Sequence, residues 1–220
     1  VLTVLTAAAI NGSRGSWVAL AIGIALFTSL YLWVNPTRLR GLIWMVFLCI
    51  AFIGFIQVAP EWIREPVRER YATLQRIEED KTFNTRRFLV RKGLILFQKS
   101  PFIGVGLERW NKEYAELELP EYISLERFNR ITSHNSYIML LAETGLVGTI
   151  PLATLLLYLA VRGLQGAVRL ARQEEYWALG IYVAFMTMGI HLWVLSGITG
   201  TSAWMVYGMV AGIVEITQGR

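Results

Sequence analysis

Cysteine is nearly absent from this chain. Cys49 is the only one in 220 residues, so no disulfide or cysteine metal cluster can form within it. Histidine is almost as scarce, and the His, Asp and Glu residues show no metal-ligand spacing. No Gly-x-Ser-x-Gly elbow is present, which argues against a serine hydrolase. Gly104-Val105-Gly106 has no preceding strand and no Walker lysine, so it reads as a turn rather than a phosphate cradle. There is no internal repeat and no low-complexity segment. The net charge of +5 leaves no nucleic-acid footprint, because most basic residues lie in one loop that is almost equally acidic.

What the chain has in abundance is apolar surface. It is 55% hydrophobic with a mean hydropathy of +0.46, above the balance of a soluble domain. A helix needs about 20 apolar residues to cross the hydrocarbon core. The runs 16–34, 41–59, 137–161 (apart from Glu143) and 176–195 meet that need, and 201–216 is a shorter candidate. Residues 1–10 resemble the end of a further span. The chain opens on Val1 with no charged stretch before its first apolar residues, so it reads as an excerpt of a longer protein without a signal peptide. The expected fold is all-α: a polytopic transmembrane helix bundle, one membrane domain over 1–220, with an extracytoplasmic loop of amphipathic helices at 60–133.

Short loops set orientation, and cytoplasmic ones are rich in Lys and Arg. Loop 35–40 carries Arg38 and Arg40 with no acid; loop 161–175 carries Arg162, Arg169 and Arg172 against Glu174 and Glu175. Two spans separate them, so they share a side, and both favour the cytoplasm. Segments 11–15, 60–133 and 196–200 then lie outside, which puts Arg14, Arg86 and His134 on one face. In the outer loop, Ile63, Val67, Tyr71, Leu74 and Ile77 follow helical spacing. Asn84 or Thr85 can cap a second helix that ends at Ser100-Pro101. Leu107, Trp110, Tyr114 and Leu117 mark a third.

Each candidate residue has a plainer reading beside the chemical one. Arg14, in Asn11-Gly12-Ser13-Arg14-Gly15, can bind an anion with help from nearby backbone N–H groups, or it is a snorkelling interfacial arginine. Arg86 opens the second loop helix and offers a guanidinium fork to phosphate; otherwise it belongs to a solvated face paired to Glu78, Glu79 or Asp80. His134 stands at the cap or first turn of a membrane-entering helix, whose positive dipole end disfavours imidazolium. A neutral imidazole can accept a proton, although a capping or interfacial role fits the position too. Asn135 or Ser136 can cap that helix. Glu143 falls about half a turn from His134's face, so a structural hydrogen bond to a neighbouring helix is expected of it. His191 is expected to be a satisfied bundle histidine.

Three blocks carry a family resemblance: Asn11-Gly12-Ser13-Arg14-Gly15, the stretch from Arg86 to Ser100-Pro101-Phe102-Ile103-Gly104-Val105-Gly106, and His134-Asn135-Ser136-Tyr137 through Leu141-Ala142-Glu143-Thr144-Gly145-Leu146-Val147-Gly148. Together, in this order, the chain resembles the C-terminal portion of the O-antigen ligase and polymerase superfamily of bacterial membrane glycosyltransferases. Where that family often has Trp four residues after the loop arginine, this chain has Val90, and the distance to Pro101 favours Arg86 over Arg87. The resemblance implies a multi-pass protein of the bacterial inner membrane with its active site on the periplasmic face. It implies transfer of a glycan from an undecaprenyl-diphosphate carrier to a sugar or protein hydroxyl, such as a lipid A-core-type acceptor, without metal or cofactor. On the matching positions, Arg14 and Arg86 would hold the donor diphosphate and His134 would activate the acceptor. The alternative is a polytopic solute transporter. Against it, the midplane offers little beyond Glu143, with Pro151 as a potential kink.

Overall fold

The computed structural model describes residues 14–35, 81–113, 115, 117–119, 121–193 and 197–219, with isolated helical positions between 43 and 65. The side chains of residues 14–17, 81 and 82 fall outside that description. So do the apolar run 1–10, Cys49, most of the run 41–59, the proposed loop-helix residues 63, 67, 71, 74 and 77, and Tyr114.

Every regular element among the described residues is a helix. In chain order these are α1 (Arg14–Val34), α2 (Lys81–Lys99), α3 (Leu125–Arg130), α4 (Ser136–Ala171), α5 (Trp177–His191) and α6 (Thr201–Gln218). One of them, α4, is long and apolar enough to cross a membrane, while Val18–Val34 and Trp177–His191 are shorter apolar helices. The chain divides into two compact units, 1–77 with 160–188 and 208–220, and 78–159 with 189–207.

In the first unit small residues let helices approach closely. A Cβ on Gly23 of α1 would sit 2.9 Å from the Thr187 hydroxyl of α5, and Gly166 of α4 stands equally close to Ile213 and Thr217 of α6. Arg169 donates to the Thr217 carbonyl at 2.8 Å, satisfying one of the carbonyls that a helix C-terminus leaves free. Arg162 and Arg169 lie on the helix itself, because α4 continues to Ala171 where a loop beginning at 161 was expected. Nothing in 161–170 stops a helix, since its two glycines, Gly163 and Gly166, are used for packing.

The second unit is built around Leu89, Leu96, Trp110, Phe128 and Ala142. Leu89, Lys92 and Leu96 on α2 are all fully buried, the stripe expected of a helix with one face inward. The helix ends at Lys99 as the sequence predicts, because Pro101 has no N–H to give and restricts Ser100. It starts three residues before Asn84, so neither Asn84 nor Thr85 is its cap, and Arg86 falls in its second turn rather than opening it.

Two further expectations are corrected. The sharp break in α4 is at Gly145 (φ 60°, ψ −160°), and Pro151 lies within continuous helix. Breaking the ladder at Gly145 releases backbone groups, and the turn after α2 takes them up. Leu146 and Val147 donate to the Pro101 and Phe102 carbonyls, while Val105 and Gly106 donate to the Ala142 and Glu143 carbonyls, all at 2.9–3.0 Å. The close approach requires glycine on both sides, since a Cβ at Gly104 would collide with the Glu143 backbone and one at Gly145 with the Phe102 carbonyl. Where the proposed third loop helix was expected, residues 107–113 are instead a series of turns. Glu108 has a left-handed backbone (φ 58°), and Leu107 is exposed while Trp110 is buried, so the apolar residues do not share a helical face. The short helix in this region is α3.

Candidate functional site

His134 lies two residues before α4, at the point where the loop hands over to the helix. Asn135 is the cap. Its Oδ1 accepts from the amides of Tyr137 (3.1 Å) and Ile138 (3.0 Å), two of the donors a helix start leaves unpaired. Ser133 Oγ donates to the Asn135 carbonyl and accepts from its amide. The Ser136 amide reaches the Leu192 carbonyl at 2.9 Å, and Tyr137 Oη donates to the Gly189 carbonyl at 2.7 Å. These flanking bonds hold His134 at φ 48°, a left-handed conformation that costs a non-glycine residue about 1–2 kcal/mol. Such a cost persists where the surroundings over-determine the backbone, as they do here.

The His134 ring opens on a cavity of about 400 Å³. Thr85 and Arg86 of α2 form one wall, and Tyr122, Ile123, Arg127 and Ile131 form another. Among the described residues no carboxylate lines it. His134 is half-buried, and its pKa is held below the ordinary 6.5, first by burial and then by the positive charge of Arg86. The positive end of α4 disfavours imidazolium in the same direction, by a different cause. Arg86 is half-buried, and its Nε is buried with no hydrogen-bond partner among the described residues.

Lys92, two turns after Arg86, has a different task. It is fully buried, donates to the Asn129 carbonyl at 2.8 Å and stands 5.0 Å from the centre of the Trp110 ring. Burial pulls its pKa down to about 8; Glu113 opposes that shift and Lys99 adds to it. Trp110 in turn donates through Nε1 to the Ile131 carbonyl at 2.8 Å, and the Asn129 side chain accepts from the Ala115 amide. This network fixes α3, and with it Arg127, in relation to α2.

Glu143 is buried and accepts from the Trp110 backbone amide at 2.9 Å. Its role is the structural hydrogen bond expected of it, made to the loop rather than to a helix. The expectation that His191 is satisfied is not met among the described residues, where its Nδ1 is buried without a hydrogen-bond partner. Arg14 opens α1 and belongs to the other compact unit, and its side chain is outside the described residues. The structure therefore brings Arg86 and His134 together, while the place of Arg14 in the site remains an expectation from the sequence.

Sequence reasoning passed over Arg127. A signal was available, because positions 123, 124, 130 and 131 hold Ile, Ser, Arg and Ile, so no acid stands within helical reach of it.

The cavity joins two guanidiniums to an imidazole held neutral, which suits anion binding beside a proton acceptor. A family model described as O-antigen ligase matches residues 1–153, which takes in both walls of this cavity. No curated protein and no solved structure matches the chain. With the three sequence blocks and the cavity all inside a match that covers more than half of its 220 residues, the chain belongs to the O-antigen ligase family.

Proposed function

We propose that the protein is a membrane glycosyltransferase that moves a glycan from an undecaprenyl-diphosphate carrier to the hydroxyl of a sugar or protein acceptor. The acceptor oxygen attacks the anomeric carbon, the bond from that carbon to the diphosphate breaks, and undecaprenyl diphosphate leaves with inversion. His134 accepts the hydroxyl proton. Arg86 binds the diphosphate and offsets the charge that develops as it departs, work done by a metal in many other transferases. Arg14 is assigned to the same diphosphate on its family motif alone.

The observation that carries this reading is the shared cavity of Arg86 and His134, which among the described residues has no carboxylate in its wall to repel a diphosphate. An imidazole kept neutral by burial and by Arg86 is in the right state to take a proton near pH 7. The family match supports a glycosyltransferase of the bacterial inner membrane acting on lipid-linked glycans. The apolar runs and the Arg-rich segments of the sequence support a multi-pass topology with the cavity on the periplasmic face.

The test is glycan transfer by full-length protein in liposomes, supplied with a lipid-diphosphate glycan and candidate acceptors. His134→Asn removes the base while keeping a residue that tolerates the left-handed backbone. It should lower turnover by about 100-fold or more, and Arg86→Gln should do comparable damage. Normal product from both variants at matched protein levels would refute the site.

A further inference from the structure

The cavity contains a second guanidinium that neither the family motif nor the sequence reading accounts for. Arg127 lies on α3, whose start is set by Ser124, the Oγ of which accepts from the Arg127 amide. The opposite side of this short helix is locked down by the burial of Phe128 and Asn129. Asn129 Oδ1 takes the Ala115 amide, and its carbonyl takes Lys92 Nζ. Lys92 belongs to α2, the helix that carries Arg86. The two arginines are therefore tied to one another through a buried network, and both reach the same cavity.

Charge pairing sets Arg127 apart from its neighbours. Arg130, on the same helix, is paired to Glu126 at 2.7 Å, and Arg109 faces Glu113 at 3.4 Å. Among the described residues no acid pairs with Arg127 or with Arg86. Two guanidiniums lining one cavity, with no carboxylate beside them among the described residues, make a site for an anion that carries more than one charge.

We infer that Arg127 is a further phosphate-binding residue, acting with Arg86 in the same cavity on the two phosphoryl groups of the lipid-linked donor. The inference rests on the proposed donor reading and extends it. One guanidinium would grip a monophosphate about as well as it grips half of a diphosphate, so a pair is what distinguishes the loaded carrier from a monophosphate lipid.

The experiment measures binding of farnesyl diphosphate and of farnesyl monophosphate to the full-length protein in nanodiscs, together with transfer kinetics against donor and acceptor concentration. Arg127→Gln should weaken farnesyl diphosphate binding by about tenfold or more, the size expected for a lost charge-assisted hydrogen bond. The monophosphate should be affected much less. Arg127→Lys should restore part of the loss, and the KM for donor should rise while the KM for acceptor stays the same. Unchanged diphosphate affinity in Arg127→Gln, alongside weakened affinity in Arg86→Gln, would overturn the role of Arg127 and leave the donor reading standing. A rise confined to the acceptor KM would also overturn it, by assigning Arg127 to the acceptor. If neither variant alters diphosphate binding, the donor reading fails as well.

Discussion

At the scale of single residues, the protonation of His134 determines when the cavity can work. Burial and the nearby Arg86 both disfavour imidazolium, so the neutral form persists below the ordinary value of 6.5. If His134 is the base, kcat/KM should fall on an acid limb whose midpoint lies below pH 6.5. Arg86→Gln removes the smaller of the two causes. The midpoint should therefore move up towards 6.5 without reaching it, whatever the loss in absolute rate. A wild-type limb at or above 6.5 would contradict the assignment. The stability effect has a definite sign. Above pH 6.5 the ring is neutral in both folded and unfolded chain and no stability is at stake. As the pH drops from 6.5 through the folded value, the unfolded chain binds the proton first, and stability is lost across that window.

At the scale of elements, the break at Gly145 and the turn 101–106 form one unit, because each supplies the hydrogen bonds the other lacks. Glu143 extends the joint by accepting from the Trp110 amide. Glu143→Gln retains an acceptor at that position and should leave thermal stability nearly unchanged. Glu143→Ala strands a buried N–H and should cost about 1–3 kcal/mol, read as a lower melting temperature. Gly145→Ala should cost at least as much, because its Cβ would strike the Phe102 carbonyl in a backbone conformation that alanine avoids. If both alanine variants melt with the wild type, the joint is not what holds the loop to the helix. Much of this was legible from sequence. The Ser100-Pro101 stop, the Gly104-Val105-Gly106 turn and the Asn135 cap all follow from local chemistry. The kink was not, because Pro151 is the stronger local signal, whereas Gly145 departs from helix only when another segment docks there. The heptad-like spacing of Leu107, Trp110, Tyr114 and Leu117 misled for a related reason. Trp110 is drawn inward by Lys92, Ile131 and Glu143, partners remote in sequence that no periodicity reveals.

At the scale of the whole molecule, α4 is the element that decides topology. At 1.5 Å per residue its 36 residues would run about 54 Å if straight, and the stretch after Gly145 alone about 39 Å, against a hydrocarbon core of about 30 Å. A helix of that length can begin beside the cavity and still carry Arg162, Arg169 and Arg172 past the far side of the membrane, where basic residues are favoured. Cys49 is the single cysteine of these 220 residues, so topology is accessible to thiol labelling once it and any cysteine elsewhere in the full-length protein are replaced. On a chain with Cys49→Ala, Glu121→Cys in the exposed loop beside the cavity should react with a membrane-impermeant thiol reagent applied to spheroplasts. Arg172→Cys, just beyond α4, should react only after the membrane is permeabilised. Labelling of both positions from outside would mean that α4 does not traverse the bilayer. The proposed placement of His134 at a periplasmic boundary would then fail, and with it the proposal that a carrier lipid reaches the cavity from that side.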